Sequence, residues 1–302
     1  MRIVSIFDIR YSNLKDFDSE RLDMSRKHPE VSVIIPTYNR AAMVVEAVES
    51  VLAQNMPDFE LIVINDGSTD KTEGRLSAYG SRLKYYQQEN AGVSATRNRG
   101  ITFSTAPLIA FLDSDDLWLP SKLQVHHAYM TENPEVHICQ TEEIWWRNGR
   151  RVNPKKHHQK PSGDIFQRSL ELCLVSPSAV IIRRELFEKV GYFDEELPMA
   201  EDYDLWLRVA VEYPVVLLPE PLVIKRGGHP GQLSARKGID RYRIEALEKL
   251  LNSDRLSSEQ YDWTWTALQR KCQIYGEGCL KRGRVEEGER YLAIPNKYRR
   301  GV

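Results

Sequence analysis

Three carboxylates, Asp113, Asp115 and Asp116, follow the apolar run Pro107 to Leu112, with only Ser114 between them. Packing a strand does not require such a cluster, and its mutual repulsion is costly. A hard divalent cation, which prefers oxygen ligands, would neutralise it. Mg²⁺ or Mn²⁺ held at the C-terminal end of a buried strand suits the gripping of a diphosphate, so the segment points to a nucleotide-activated substrate. The plainer reading is a solvated acidic loop. A second acidic group, Glu201-Asp202-Tyr203-Asp204, opens a helical pattern, where acids also favour the helix dipole. Asp66, in Asn65-Asp66-Gly67-Ser68, has the turn or helix-cap aspartate as its plain reading.

The elements that must position these groups follow from periodicity. Val31 to Ile35 is a β-branched strand broken by Pro36-Thr37-Tyr38-Asn39. A helix follows, with Met43, Ala47, Val48, Val51 and Leu52 on one face. Phe59 to Ile64 reads as the second strand, and Ser68 as the cap of the next helix. Leu83 to Tyr86 and Pro107 to Leu112 are the third and fourth strands, with a helix opening at Ala91-Gly92-Val93-Ser94. This alternation predicts an α/β fold built on a doubly wound, mostly parallel sheet with flanking helices. Ligands of such sheets bind at the carboxyl ends of strands, where the order switches. Thr37-Tyr38-Asn39, Asp66-Gly67-Ser68 and Asp113-Ser114-Asp115-Asp116 all fall there. Further on, Val136 to Trp146 and Ser178 to Ile182 read as strands and Glu201 to Glu212 as a helix. Past Gly238 the chain reads as all-helical, ending in one helix–turn–helix hairpin around Lys281-Arg282-Gly283-Arg284, a capping or docking appendage. The expected organisation is an N-terminal extension over 1–29, a catalytic domain over 30–237 with halves 30–118 and 119–237, and a helical region over 238–302.

Composition narrows the function classes. The 302 residues carry a formal net charge of −1, so no global field attracts nucleic acid or an anionic membrane. Arg147, Arg150, Arg151, Lys155, Lys156 and Lys160 nevertheless cluster, either as a solvated loop or as a patch meeting an anionic acceptor such as a lipid phosphate. The four cysteines form no CxxC pair and read as reduced thiols of a cytoplasmic protein. No apolar run approaches the roughly 20 residues needed to span a bilayer, and no signal-peptide core is evident, so only peripheral contact with the inner membrane face stays open.

Val33-Ile34-Ile35-Pro36-Thr37-Tyr38-Asn39-Arg40, Ile64-Asn65-Asp66-Gly67-Ser68-Thr69-Asp70, Asn90 to Asn98 and Phe111 to Asp116 occur in order. Together they resemble the nucleotide-sugar half of a family 2 glycosyltransferase with the GT-A fold, over roughly residues 31 to 230. The resemblance implies an inverting, nucleotide-sugar-dependent enzyme with a Mn²⁺ or Mg²⁺ cofactor. By it, Asp66 accepts from the base imide, and Pro36, Thr37, Tyr38, Asn39, Gly92 and Ser114 line the donor pocket. Asp115 holds the metal, and Asp113 the ribose or metal. Asp202 is the general base that takes the acceptor proton, and Glu201 orients it or binds sugar. Arg97 either holds loops around the nucleotide or forms a structural ion pair. His229, in a Gly-rich loop, is either near metal and pyrophosphate or has no ligand role. Arg226 would meet phosphate, and Trp206 is either a core residue, the preferred reading, or a sugar-stacking platform. The implied partners are a nucleoside-diphosphate sugar and a glycan, lipid-linked or protein acceptor, with dimer or partner docking open for the C-terminal helices. The rivals are a retaining GT-A transferase, a nucleotidyltransferase and a non-catalytic nucleotide-sugar-binding module.

Overall fold

The computed structural model describes residues 28–229, 231–232 and 238–299. The extension expected over 1–29 lies outside them except for His28 and Pro29, as do Pro230, Leu233 and Ser234 of the Gly-rich loop.

One nine-stranded sheet organises the chain. Its strands are β1 (Val31–Thr37), β2 (Phe59–Asn65), β3 (Lys84–Gln87), β4 (Leu108–Phe111), β5 (Leu117–Trp118), β6 (Ile138–Arg147), β7 (Arg150–Val152), β8 (Val180–Arg183) and β9 (Val216–Gly227). They lie in the order β3-β2-β1-β4-β8-β6-β9-β5, with β7 on β6. The first four pair in parallel, as the alternating pattern requires. Beyond them the sheet is mixed, because β8 is antiparallel to both β4 and β6. The order reverses between β1 and β4, and their pairing ends at Ile34↔Phe111. Past that point the chains part, which opens a crevice at the switch point.

The helices are α1 (Ala41–Leu52), α2 (Thr72–Leu76), α3 (Gly92–Phe103), α4 (Lys122–Glu132), α5 (Phe166–Ser169), α6 (Glu185–Val190), α7 (Glu201–Ala210), α8 (Ile239–Leu251), α9 (Ser258–Leu280) and α10 (Val285–Ala293). β1 is buried on both faces, as parallel strands covered by helices are. Val31, Val33 and Ile35 share a core with Val44, Ala47, Val48 and Val51 of α1. Ile34 faces the opposite core with Ile101 of α3. The buried stripe of α1 includes Val44, while the expected Met43 and Leu52 are only partly buried. Ser68 caps no helix: its hydroxyl accepts the Asn39 amide, and Asp70 accepts from the amides of Thr72 and Ala41.

The C-terminal region is all-helical, as expected, and it packs against α7. Ile244, Leu247 and Leu250 of α8, Leu268 and Cys272 of α9 and Tyr291 of α10 pack into one apolar cluster with Leu205 and Trp206 of α7. A capping box, Ser257 with Gln260, starts α9. Trp206 is 2% exposed and lies edge-on to Phe193, in the core as expected.

Candidate functional site

A cavity of about 1090 Å³ lies over the C-terminal ends of β1, β2 and β4 and extends along the β6–β9 ribbon. Pro36, Thr37, Tyr38, Asn39, Asp66, Gly92, Arg97, Asp113, Ser114, Asp115, Glu201 and Asp202 all line it. His229 adjoins it through Asp115: its Nε2 lies 2.8 Å from Asp115 Oδ2. Residues far apart in the chain are thus gathered at one mouth.

The half beside β1 and β2 is built by Asp66. Its Oδ1 accepts from the Ala91 amide at 2.9 Å and Gln88 Nε2 at 2.8 Å, and its Oδ2 from the Gly92 amide at 3.0 Å. Asp66 therefore closes the exposed N-terminus of α3, as a cap residue does, though from 25 positions upstream of Ala91. A carboxylate offers about four lone-pair positions, so about one stays available to a ligand. Gly67, at φ +75°, lets the loop turn beneath Asn90: a Cβ there would lie 2.9 Å from the Asn90 nitrogen. Gly92, at φ +90°, would meet no atom within 4 Å; its conformation requires glycine, and the space beside it is open. Asn39, also in the left-handed region at φ 51°, spends its Oδ1 on the Thr69 amide. The buried hydroxyls of Thr37 and Ser94 have no hydrogen-bond partner among the described residues, and both side chains line the cavity. Tyr38, 47% exposed, stands at its rim.

The acidic segment is a turn rather than extended backbone, closed by the Asp116 amide donating to the Asp113 carbonyl at 2.9 Å. Asp113 and Asp115 both line the cavity from this turn. Asp116 turns inward. Its Oδ2 accepts from Ser178 Oγ at 2.7 Å and its Oδ1 from the Arg226 amide at 2.9 Å. Burial, reinforced by Asp115, pushes its carboxyl up to about 8. Asp115 pairs with Arg40 at 3.0 Å in addition to His229. Arg226 donates Nε to the Asp115 carbonyl and pairs with Glu46, so two of its nitrogens hold the loop.

Arg97 joins the two acidic centres. One guanidinium nitrogen meets Asp113 Oδ1 at 2.7 Å and another Glu201 Oε1 at 2.7 Å, with the plane over the Phe193 ring at 5.1 Å. Burial opposes its charge, but Asp113 and Glu201 outweigh this and raise its pKa. Arg97 forms an ion pair with each acidic centre and also lines the cavity. Burial and the neighbouring Asp202 push the Glu201 carboxyl up against the pull of Arg97.

Ala200, the residue before α7, sits at φ 63°, a left-handed conformation uncommon outside glycine that turns Glu201 and Asp202 into the cavity. Asp202 Oδ2 is 3.5 Å from the Cys173 thiol. Burial, then Asp202, raise the Cys173 pKa well above the usual range, keeping the thiol a neutral donor. Cys173 and Lys225 were not identified from sequence, and neither carries a local signature. Burial opposes the charge of Lys225, but Glu143, Asp116, Asp113 and Asp202 outweigh it and raise its pKa.

Among the described residues no three His, Cys, Asp or Glu side chains form a metal cage. A Mg²⁺-like ion, however, is held by one or two carboxylates with substrate phosphates completing the shell. Asp113 Oδ2 has no hydrogen bond among the described residues, and Asp115 with the His229 imidazole adds hard oxygen and nitrogen donors. The donor set fits such an ion.

The Glycosyl transferase family 2 model matches residues 32–191. An uncharacterized glycosyltransferase of Rickettsia typhi is 35% identical over 251 residues, 80% of this chain and 72% of that protein. Over further rickettsial glycosyltransferases the match spans 28 to 58% of their length. The Escherichia coli UDP-Glc:alpha-D-GlcNAc-diphosphoundecaprenol beta-1,3-glucosyltransferase WfgD is 31% identical over 184 residues, 59% of this chain and 69% of that protein. The crystal structure of S. aureus TarS 1-349 with UDP-GlcNAc superposes with a TM-score of 0.71 at 22% identity, covering 88% of this chain and 79% of that one. That likeness bears on the fold.

Proposed function

The chain belongs to glycosyl transferase family 2 and is a glycosyltransferase, and from that premise we propose that it moves a sugar from a nucleoside-diphosphate sugar to an acceptor hydroxyl with inversion. The observation that carries this reading is the convergence of Asp113, Asp115 and Asp202 on one cavity at the switch point of the sheet.

In this reading Thr37, Tyr38 and Asp66 receive the nucleoside, Asp66 through its remaining acceptor position. Asp113, Asp115 and the His229 imidazole would hold a divalent ion, which, when bound, would offset charge on the departing nucleoside diphosphate. Arg40 and Lys225 add positive charge on the same side. Asp202 takes the proton of the attacking hydroxyl, so that the nucleophile forms its bond to the anomeric carbon as the bond to the diphosphate oxygen breaks. The Cys173 thiol, donating to Asp202 Oδ2, and the Tyr203 amide, donating to Oδ1 at 2.7 Å, orient that carboxylate. Arg97 keeps Glu201 and Asp113 in register, linking the base to the donor grip.

WfgD's printed name supports a lipid-linked glycan as one acceptor class. The test is a thermal-shift panel of UDP-, GDP-, dTDP- and CMP-sugars with and without Mn²⁺. A ligand that binds only the folded state raises stability by mass action, about 2.7 kcal/mol at one hundred times its dissociation constant. A Mn²⁺-dependent shift for one donor class, lost in Asp115→Ala, is expected. No shift with any donor in folded protein would contradict the reading.

A further inference from the structure

Residues 144–163, from the end of β6 through β7 to the loop beyond, contain no Asp or Glu, although Arg147, Arg150, Arg151, Lys155, Lys156 and Lys160 all fall there. Only Lys160 has an acidic partner among the described residues, Glu143 at 3.2 Å. Arg147 stands directly opposite Arg150 across the β6–β7 ladder, an arrangement of like charges that destabilises a hairpin. The two sides of the ribbon thus carry charge that nothing in the described fold answers.

This charge is aimed. Arg147, Lys155 and Lys156 line the same cavity as Asp202, on the β6 side and away from Asp66. Burial, followed by His157, Lys155, Lys225 and Arg147, lowers the pKa of His158, which places those cations around one imidazole. Trp145 lies 5.0 Å from His158, and Trp146 lines the same wall. Aromatic faces beside unpaired cations suit a ligand that is part ring and part anion. The carboxylate of Glu143 does not cancel the field, because Lys160 and Lys225 neutralise it and hold its pKa at about 2 despite burial.

We propose that Arg147, Lys155 and Lys156 form a phosphate subsite for the acceptor, so that the sugar presented to Asp202 is carried on a phosphate. This rests on the transferase reading above and adds the acceptor's chemical class. The phosphate comes either from a lipid diphosphate or from a polyol-phosphate polymer, and the probes separate the two.

The experiment titrates geranyl diphosphate, geraniol and a glycerol-phosphate oligomer into the protein by calorimetry, in EDTA so that metal-dependent diphosphate binding at the donor end is silent. The same titrations are run on Arg147→Gln/Lys155→Gln/Lys156→Gln. Wild type should bind at least one phosphate probe and not geraniol, with affinity falling as salt rises. The triple variant should bind roughly tenfold more weakly or worse, about 1.4 kcal/mol, while keeping its Mn²⁺-dependent donor shift. Preference for geranyl diphosphate supports the subsite with a lipid source, and preference for the oligomer supports it with a polymer source. Equal binding by wild type and variant, or none by either, overturns the subsite. A missing donor shift in wild type would instead overturn the transferase reading, whatever the phosphate probes do.

Discussion

Replacing Arg97 with Met should separate the two acidic centres and expose how strongly they are coupled. Arg97 is 3% exposed, and its guanidinium holds Glu201, itself 6% exposed, at 2.7 Å. Removing one partner of a buried pair costs about 3–5 kcal/mol, because the other charge is left uncompensated. The bond to Asp113 adds under about 1 kcal/mol, since that side chain is 30% exposed and water screens it. Met keeps apolar contact with Phe193, so the expected loss is about 4 kcal/mol at pH 8. The pH dependence follows from Glu201. Burial and Asp202 already raise its carboxyl above 4.5, and losing Arg97 raises it further. A group whose folded pKa is raised gives stability that is fully present below its unfolded value and is lost as pH rises through the folded value. The variant's deficit should therefore be smaller at pH 5 than at pH 8. Urea unfolding followed by tryptophan fluorescence at pH 5 and 8 measures both deficits. Arg97→Met/Glu201→Gln should recover to within about 2 kcal/mol of wild type, because removing both members of a buried pair is often close to neutral. A deficit under about 1 kcal/mol, or one that does not change with pH, would refute the reasoning.

Two other substitutions probe the frame around the site. Lys122 is fully buried, with Nζ 3.5 Å from the Val180 carbonyl and 4.1 Å from the Trp118 ring centre, and burial lowers its pKa to about 7. The unfolded chain therefore holds the proton more tightly between pH 7 and 10.5, so this residue's penalty is full below 7 and fades as pH rises. Lys122→Met should stabilise the protein by about 2 kcal/mol at pH 6.5 and by almost nothing at pH 10, read by urea titration. Gly67→Ala combines a φ of +75° with a Cβ 2.9 Å from the Asn90 nitrogen. It should cost about 2–4 kcal/mol and weaken nucleotide binding at least about tenfold, measured by calorimetry; unchanged affinity would separate Asp66 from the donor.

Short-range pattern made part of this fold legible. β1, β2 and the start of α7 announce themselves because a strand run or an acidic helix start is written in neighbouring residues. The insertion of β8 between β4 and β6 does not, since pairing across such distances depends on which faces remain uncovered. β5 and β7, two and three residues long, carry no period at all. The motif residues were readable as a set, but their couplings were not. Arg97 meets Glu201 across 104 positions and His229 meets Asp115 across 114. Cys173 is an ordinary thiol until the fold sets it against Asp202. The C-terminal hairpin was readable as two helices, but its inward face was not, because apolar residues occur on both sides: Ile274 and Val285 are exposed while Leu268 and Tyr291 are buried.

The central claim is that Asp202 acts on the acceptor and not on the donor. Asp202→Asn tests it, with donor affinity measured by calorimetry in Mn²⁺ and transfer measured as nucleoside diphosphate released in the presence of acceptor. The account predicts donor affinity within about threefold of wild type and transfer reduced by about 10² to 10⁴. Transfer within tenfold of wild type would contradict it.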